Sequence, residues 1–212
     1  IPLRLVGSEM CIRDRYEGIN RANYLVENKD KVDFTRKAEL YGEVHFLRAY
    51  YYFELVKLFG GVPVFTESRL AAEDSATLTR ASASEVYAQI EADLQAAIAA
   101  LPAAKSLNGR ATAFTAHALL GKVYLYQNKF DEAASILEPL VGLYSLPSDF
   151  QSIFLNSGEN GSGSVFEVQH SKNSNWFDWG FPQGSEGSFA IIHHGPRGYL
   201  SLIHISEPTR RR

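Results

Sequence analysis

The sequence predicts a mostly α-helical protein: a scaffold of repeated, mutually packed helices that carries long loops and one short β element. Three observations lead there. Between residues 36 and 59 apolar side chains recur in two lines: Leu40, Val44, Leu47, Tyr51, Leu55, Leu58 and Phe46, Tyr50, Phe53, Val56. Steps of three or four residues set each line along one side of a helix, and a helix apolar on two sides is sandwiched between neighbours. Further on, Ser82 and Glu85 have the spacing of a capping box, ahead of Val86, Ile90, Leu94, Ile98 and Leu101 on one helical face. Lastly, residues 119–137 place Gly121 and Ala133 where two antiparallel helices would need small side chains to approach.

The elements follow in order. Residues 16–28 form a modest helix with Ile19, Ala22, Asn23 and Val26 at helical spacing, and 28–33 is a polar connector. The long helix stops at Gly60-Gly61, since glycine takes the left-handed turn favoured at a helix end, and Pro63 blocks continuation. Residues 62–80 lack a period and are expected to cross the surface irregularly. The capped helix ends before Pro102, and 103–109 is a loop. A fourth helix is expected over 112–128 and a fifth over 131–143, with Tyr124 and Phe130 filling the wedge between them. Pro139 would remove the backbone bond to Ser135, so that fifth helix should kink or end early.

The helical scaffold, 16–144, then gives way to a loop-rich region, 145–199. Residues 149–154 are short and apolar, and 156–164 are rich in Gly, Asn and Ser. Residues 164–170 alternate, with Phe166 and Val168 opposite Glu167 and Gln169, which predicts a short strand. Residues 171–199 hold Trp176, Phe177, Trp179, Phe181 and Phe189 in a Gly/Ser/Asn background too polar to build a regular core.

The two ends are expected not to be native. Residues 5–15, LVGSEMCIRDR, and 200–210, LSLIHISEPTR, can be encoded by opposite strands of one DNA that resembles a transposase-type sequencing adapter. Residues 1–15 and 200–212 are therefore set aside as adapter-derived, leaving one partial domain over 16–199. Without them Lys and Arg fall from 21 to 15 and Asp and Glu from 24 to 21, a net charge of −6. That acidity speaks against nucleic acid as a partner. Cys11 and Met10, the single Cys and Met, go too, so no disulfide, thiol chemistry or cysteine metal site is expected. No run is long and apolar enough to span a membrane.

Candidate chemistry is sparse. Trp176 and Trp179 lie three apart beside Phe177 and Asp178. Flat aromatic rings stack on the C–H face of a sugar while amides and carboxylates bond its hydroxyls, so Trp176, Phe177 and Trp179 are the candidate ligand-binding residues. The alternatives are that these rings pack the loop onto the helices, meet a C-terminal part expected beyond this sequence, or contact a partner protein. His193-His194 is a poor metal site, because adjacent imidazoles rarely face one ion and no third ligand is evident. His45 and His117 read as structural, and Glu39 with Glu43 as a solvated helical face rather than the paired acids of a hydrolase. Glu91 and Asp93 point to different sides. Arg48, inside an apolar helix, is expected to bond carbonyls or an acid, and Tyr50–Tyr52 to bury their rings with hydroxyls at the core's edge. No nucleophile elbow, P-loop or dinucleotide fingerprint is present, so no catalytic residue, metal or cofactor is assigned.

Glu43 followed by FLRAYYYF, the Leu-Val pair and KLFGGVP strongly resembles the central helix of the SusD/RagB family. Residues 119–137, with Leu120-Gly121, Tyr124, Phe130 and Ala133, resemble a tetratricopeptide repeat, and Gly109-Arg110-Ala111-Thr112 and the run GSVFEVQ are also similar to that family. The resemblance implies a tetratricopeptide-like scaffold and a non-catalytic, surface-exposed outer membrane lipoprotein of Bacteroidota. Such a protein captures an oligosaccharide or other nutrient and delivers it to a SusC-like TonB-dependent transporter. Its lipid anchor would lie outside this fragment, as would further sequence at both ends. Two other readings stay open: a tetratricopeptide-type scaffold for protein partners, and a fragment of a glycoside hydrolase.

Overall fold

A computed structural model of the protein describes residues 3–67, 69, 78–103, 107–155 and 158–169. Five α-helices dominate: α1 (Leu3–Glu27), α2 (Lys37–Phe59), α3 (Ala83–Ala100), α4 (Ala113–Tyr126) and α5 (Phe130–Leu137). All belong to one compact unit, Ile1–Glu167; a second unit begins at Val168. Each helix packs on its successor, so α2 lies between α1 and α3, and α4 between α3 and α5. The predicted sandwich around the long helix is therefore present.

The punctuation follows the predicted chemistry. At the end of α2, Gly60 adopts φ +68 and its N–H bonds the Val56 carbonyl. Gly61 is needed for space: a Cβ there would sit 2.2 Å from the Ala81 carbonyl oxygen. Ser82 and Glu85 form the capping box reciprocally, Glu85 N–H to Ser82 Oγ at 3.2 Å and Ser82 N–H to Glu85 Oε2 at 2.7 Å. Thr112 and Thr115 close the same kind of box on α4. Pro139 ends regular helix early, as expected, in a short 3-10 turn at Glu138–Leu140.

The core is built from Ile19 of α1, Ala49, Tyr52, Phe53 and Leu55 of α2, Val86, Ile90 and Leu94 of α3, and Leu120 and Val123 of α4. Several expectations need correction. On α2, Val44 and Leu55 are buried, but Leu47, Tyr50 and Leu58 face outward, Leu58 at 60% exposure. The buried arc instead takes in Glu43 and Arg48. Phe130 does not fill a wedge: it is 63% exposed, because α5 buries only Ala133 fully and lies with Leu137 against Gly121. Val62 is buried and Val64 and Phe65 partly so, which makes the start of the crossing part of the core rather than surface. Helix α1 starts upstream of Tyr16, at Leu3; no proline interrupts residues 3–15, and Ile12 packs on the core. No β-ladder forms among the described residues, and 164–169 carry no regular structure there. Phe166 instead meets Phe46 edge to face at 5.5 Å.

Candidate functional site

The described residues concentrate their polar chemistry on α2, where His45, Arg48 and Tyr52 succeed one another by single turns on the arc facing α1 and α3. A buried guanidinium must have its donors satisfied, and this one is. Arg48 grips Asp93 of α3 bidentately, Nε to Oδ2 at 2.8 Å and one terminal nitrogen to Oδ1 at 2.6 Å. Its other terminal nitrogen donates to Asn23 Oδ1 of α1 at 2.8 Å and to the Thr66 carbonyl at 2.7 Å. His45 Nδ1 lies 3.0 Å from Asp93 Oδ1. One cation thereby joins three helices and the chain that leaves α2.

That departing chain is held at its main-chain atoms. Asn23 Nδ2 donates to the Phe65 carbonyl at 3.0 Å, and the Tyr52 hydroxyl donates to the same carbonyl at 2.9 Å while accepting from Phe65 N–H at 3.0 Å. The Tyr16 hydroxyl donates to the Pro63 carbonyl at 2.9 Å. Burial pushes the Tyr52 hydroxyl up to about 12 and raises Tyr16 as well, so both stay protonated donors. For Asp93 burial acts to raise the carboxyl, but the bonds from Arg48 and His45 outweigh it and hold it below the ordinary value.

One turn earlier on α2, Glu43 pairs with Arg110 at 2.6 Å and locks the turn between α3 and α4 onto the long helix. Glu43 Oε1 and Arg110 Nε are buried without a hydrogen-bond partner among the described residues. Burial raises the Glu43 carboxyl, and Arg110 only partly offsets it. Glu43 is therefore not part of a solvated face, as the sequence had suggested, whereas Glu39 is bound by Arg36. Glu91 takes Gln127 and Lys129, and so points away from Asp93. His117 Nδ1 meets the Ile136 carbonyl at 3.0 Å.

These acids and bases are spent on each other across helices, which makes a rigid platform. Among the described residues no group of three His, Cys, Asp or Glu is placed to hold a metal ion. Trp176, Phe177 and Trp179, like His193 and His194, lie outside the described residues. Sequence reasoning placed Arg48 against an acid or carbonyls without naming Asp93 or Asn23, and it missed Glu43–Arg110. A signal for the first was present: Asp93 falls three residues after Ile90 and four before Ala97, on the buried line of α3.

Against this geometry the resemblances take on weight. Over residues 11–125 the chain matches a SusD-like family described as starch-binding and associating with the outer membrane. A SusD-like protein of Formosa agariphila is 30% identical over 153 residues, 70% of this chain and 30% of its own length. A solved laminarin-binding SusD-like protein is similar with a TM-score of 0.78 and 35% identity, over 89% of this chain and 43% of that one. Surface glycan-binding protein A of Bacteroides thetaiotaomicron, solved with laminarihexaose, is similar with a TM-score of 0.73 and 25% identity, over 84% of this chain and 38% of that one. The chain spans about a third of the length of the curated relatives it matches. With a match over more than half of its residues, the chain belongs to the SusD-like family.

Proposed function

We propose that the protein is a non-catalytic glycan-binding component of the outer membrane, which captures an oligosaccharide and hands it to a SusC-like TonB-dependent transporter. The observation that carries this reading is the likeness to a laminarin-binding SusD-like protein along most of the chain. The platform's polar groups support it, since they tie helices together rather than converge on a reacting atom. Laminarin-type glucans are the first ligand class to try. Trp176, Phe177 and Trp179 are the proposed contact residues, because flat rings beside amides suit a pyranose face. The protein would sit at the cell surface through a lipid anchor outside this fragment; among the described residues no helix is long and apolar enough to cross a membrane.

Isothermal titration of the full-length protein with laminarin oligosaccharides tests both claims. Trp176→Ala and Trp179→Ala should each weaken binding about fivefold or more, the loss expected when a stacked ring contributes about 1–3 kcal/mol as aromatic stacking does elsewhere. Unchanged binding in both variants would remove these residues from the site. Absence of binding to any glycan, together with capture of peptides, would favour the tetratricopeptide-type scaffold. That second reading draws on the α4–α5 hairpin, where Gly121 admits Leu137 so closely that a Cβ would lie 2.5 Å from it. Reducing sugar released from a polysaccharide panel would instead reveal a hydrolase. Residues 1–15 and 200–212 are proposed to be adapter-derived; the genomic locus would show different codons there.

A further inference from the structure

We propose that the Asn108–Gly109 turn is a site of spontaneous covalent modification, where Asn108 deamidates to aspartate and isoaspartate. This modification is independent of glycan binding. The reaction needs three things: a side-chain amide in solvent, a following backbone nitrogen free to attack, and no Cβ on the attacking residue to obstruct it. Asn-Gly is the pairing that supplies the third, and the chain has two described examples, Asn108-Gly109 and Asn160-Gly161. Asparagine's thermal lability is general; the surroundings decide which one reacts.

The two differ in every respect that matters. Asn108 and Gly109 are both exposed, in the turn between α3 and α4. Gly109 has φ +80, and the turn is closed by one backbone bond, Arg110 N–H to the Leu107 carbonyl at 3.3 Å. Among the described residues the Gly109 N–H, the attacking group, has no hydrogen-bond partner. At the second site both residues are half-buried. The Gly161 N–H is tied to the Gly158 carbonyl at 3.1 Å, and its own carbonyl accepts from Ser164 N–H at 2.9 Å. Asn160 is pinned by its N–H to both carboxylate oxygens of Glu167, at 3.1 and 3.0 Å.

The step balances within the chain and water. Gly109 N bonds to Asn108 Cγ, the Cγ–Nδ2 bond breaks, and the Gly109 proton leaves with Nδ2 as ammonia through solvent. Water then opens the cyclic imide at either carbonyl, giving aspartate or, with one extra backbone methylene, isoaspartate. Attack needs rotation of Asn108 about ψ and χ1 to bring Gly109 N onto Cγ, and that rotation requires the turn to open. A single exposed bond of 3.3 Å opposes that opening, whereas Gly161 must give up several. The product carries a new carboxylate two residues before Arg110, the partner of Glu43.

Peptide mapping tests this on the full chain incubated in mildly alkaline buffer. Trypsin releases residues 106–110, and fragmentation spectra locate any change of amide NH2 to OH. Asn108 should convert about tenfold faster or more than Asn160, since net costs of this size attach to one or two hydrogen bonds. In urea, where both turns are lost, the two rates should converge. Asn108→Gln should leave the 106–110 peptide unmodified. Equal rates in the folded chain, or an intact 106–110 peptide when the urea control reacts, would overturn the proposal.

Discussion

Arg48 is 4% exposed and Asp93 3%, so neither charge can fall back on water if its partner is removed. Arg48→Ala should destabilise the chain by about 3–5 kcal/mol, the usual cost of leaving a buried charge uncompensated, read from urea unfolding. The two buried acids should answer pH with opposite sign. Asp93 is held below its ordinary value, so its stabilisation is present above the ordinary aspartate range and lost as pH falls through the lowered value. Glu43 is raised, so its contribution is complete in acid and fades as pH climbs through the raised value. Compared with Glu43→Gln, the natural chain should therefore lose ground in urea midpoint as pH rises above the ordinary glutamate range, and compared with Asp93→Asn it should lose ground as pH falls below the ordinary aspartate range. A midpoint difference that stays flat with pH in either pair would contradict these assignments. At this scale the sequence was legible in part: Arg48 had to find an acid or carbonyls, but which acid depends on how α3 docks.

The stops and starts of the helices were the most readable features, because each is settled within four or five residues. Gly60, the Ser82–Glu85 box and Pro139 all act where their local chemistry says they should. Faces were harder. The two apolar lines drawn on α2 drift around the helix, and a count of apolar residues passes over Glu43 and Arg48, which are buried as ion pairs. Leu47 and Leu58 were consequently assigned to the inside. For the α4–α5 hairpin the small residue was legible but its neighbour was not: Gly121 meets Leu137, not Phe130. Gly121→Ala should cost about 1–3 kcal/mol through overpacking, and Leu137→Ala in the same chain should return part of it, measured as a double-mutant cycle of thermal unfolding.

For the chain as a whole, family membership came from motif and comparison, whereas the proposed ligand contacts Trp176, Phe177 and Trp179 fall in a Gly/Ser/Asn-rich stretch, and loops vary more than the frame beneath them. The described residues include a run of outward apolar side chains after α5: Val141, Leu143, Leu146 at 92% exposure, Phe150 and Leu155. Replacing Val141 and Leu146 with serine should shift stability by no more than about 0.5 kcal/mol per site, since neither side chain is buried here; a larger loss in chemical unfolding would mean they are covered in solution. The grip on residues 63–66 has a different consequence. Tyr16, Asn23, Arg48 and Tyr52 all reach for carbonyls or an N–H of that segment, and the Tyr16 ring also stacks on Phe65 at 5.6 Å while Val64 packs on the core. A frame that fastens its outgoing strap both by peptide groups and by two packed side chains fixes where the strap starts, and tolerates exchange there only while positions 64 and 65 stay apolar.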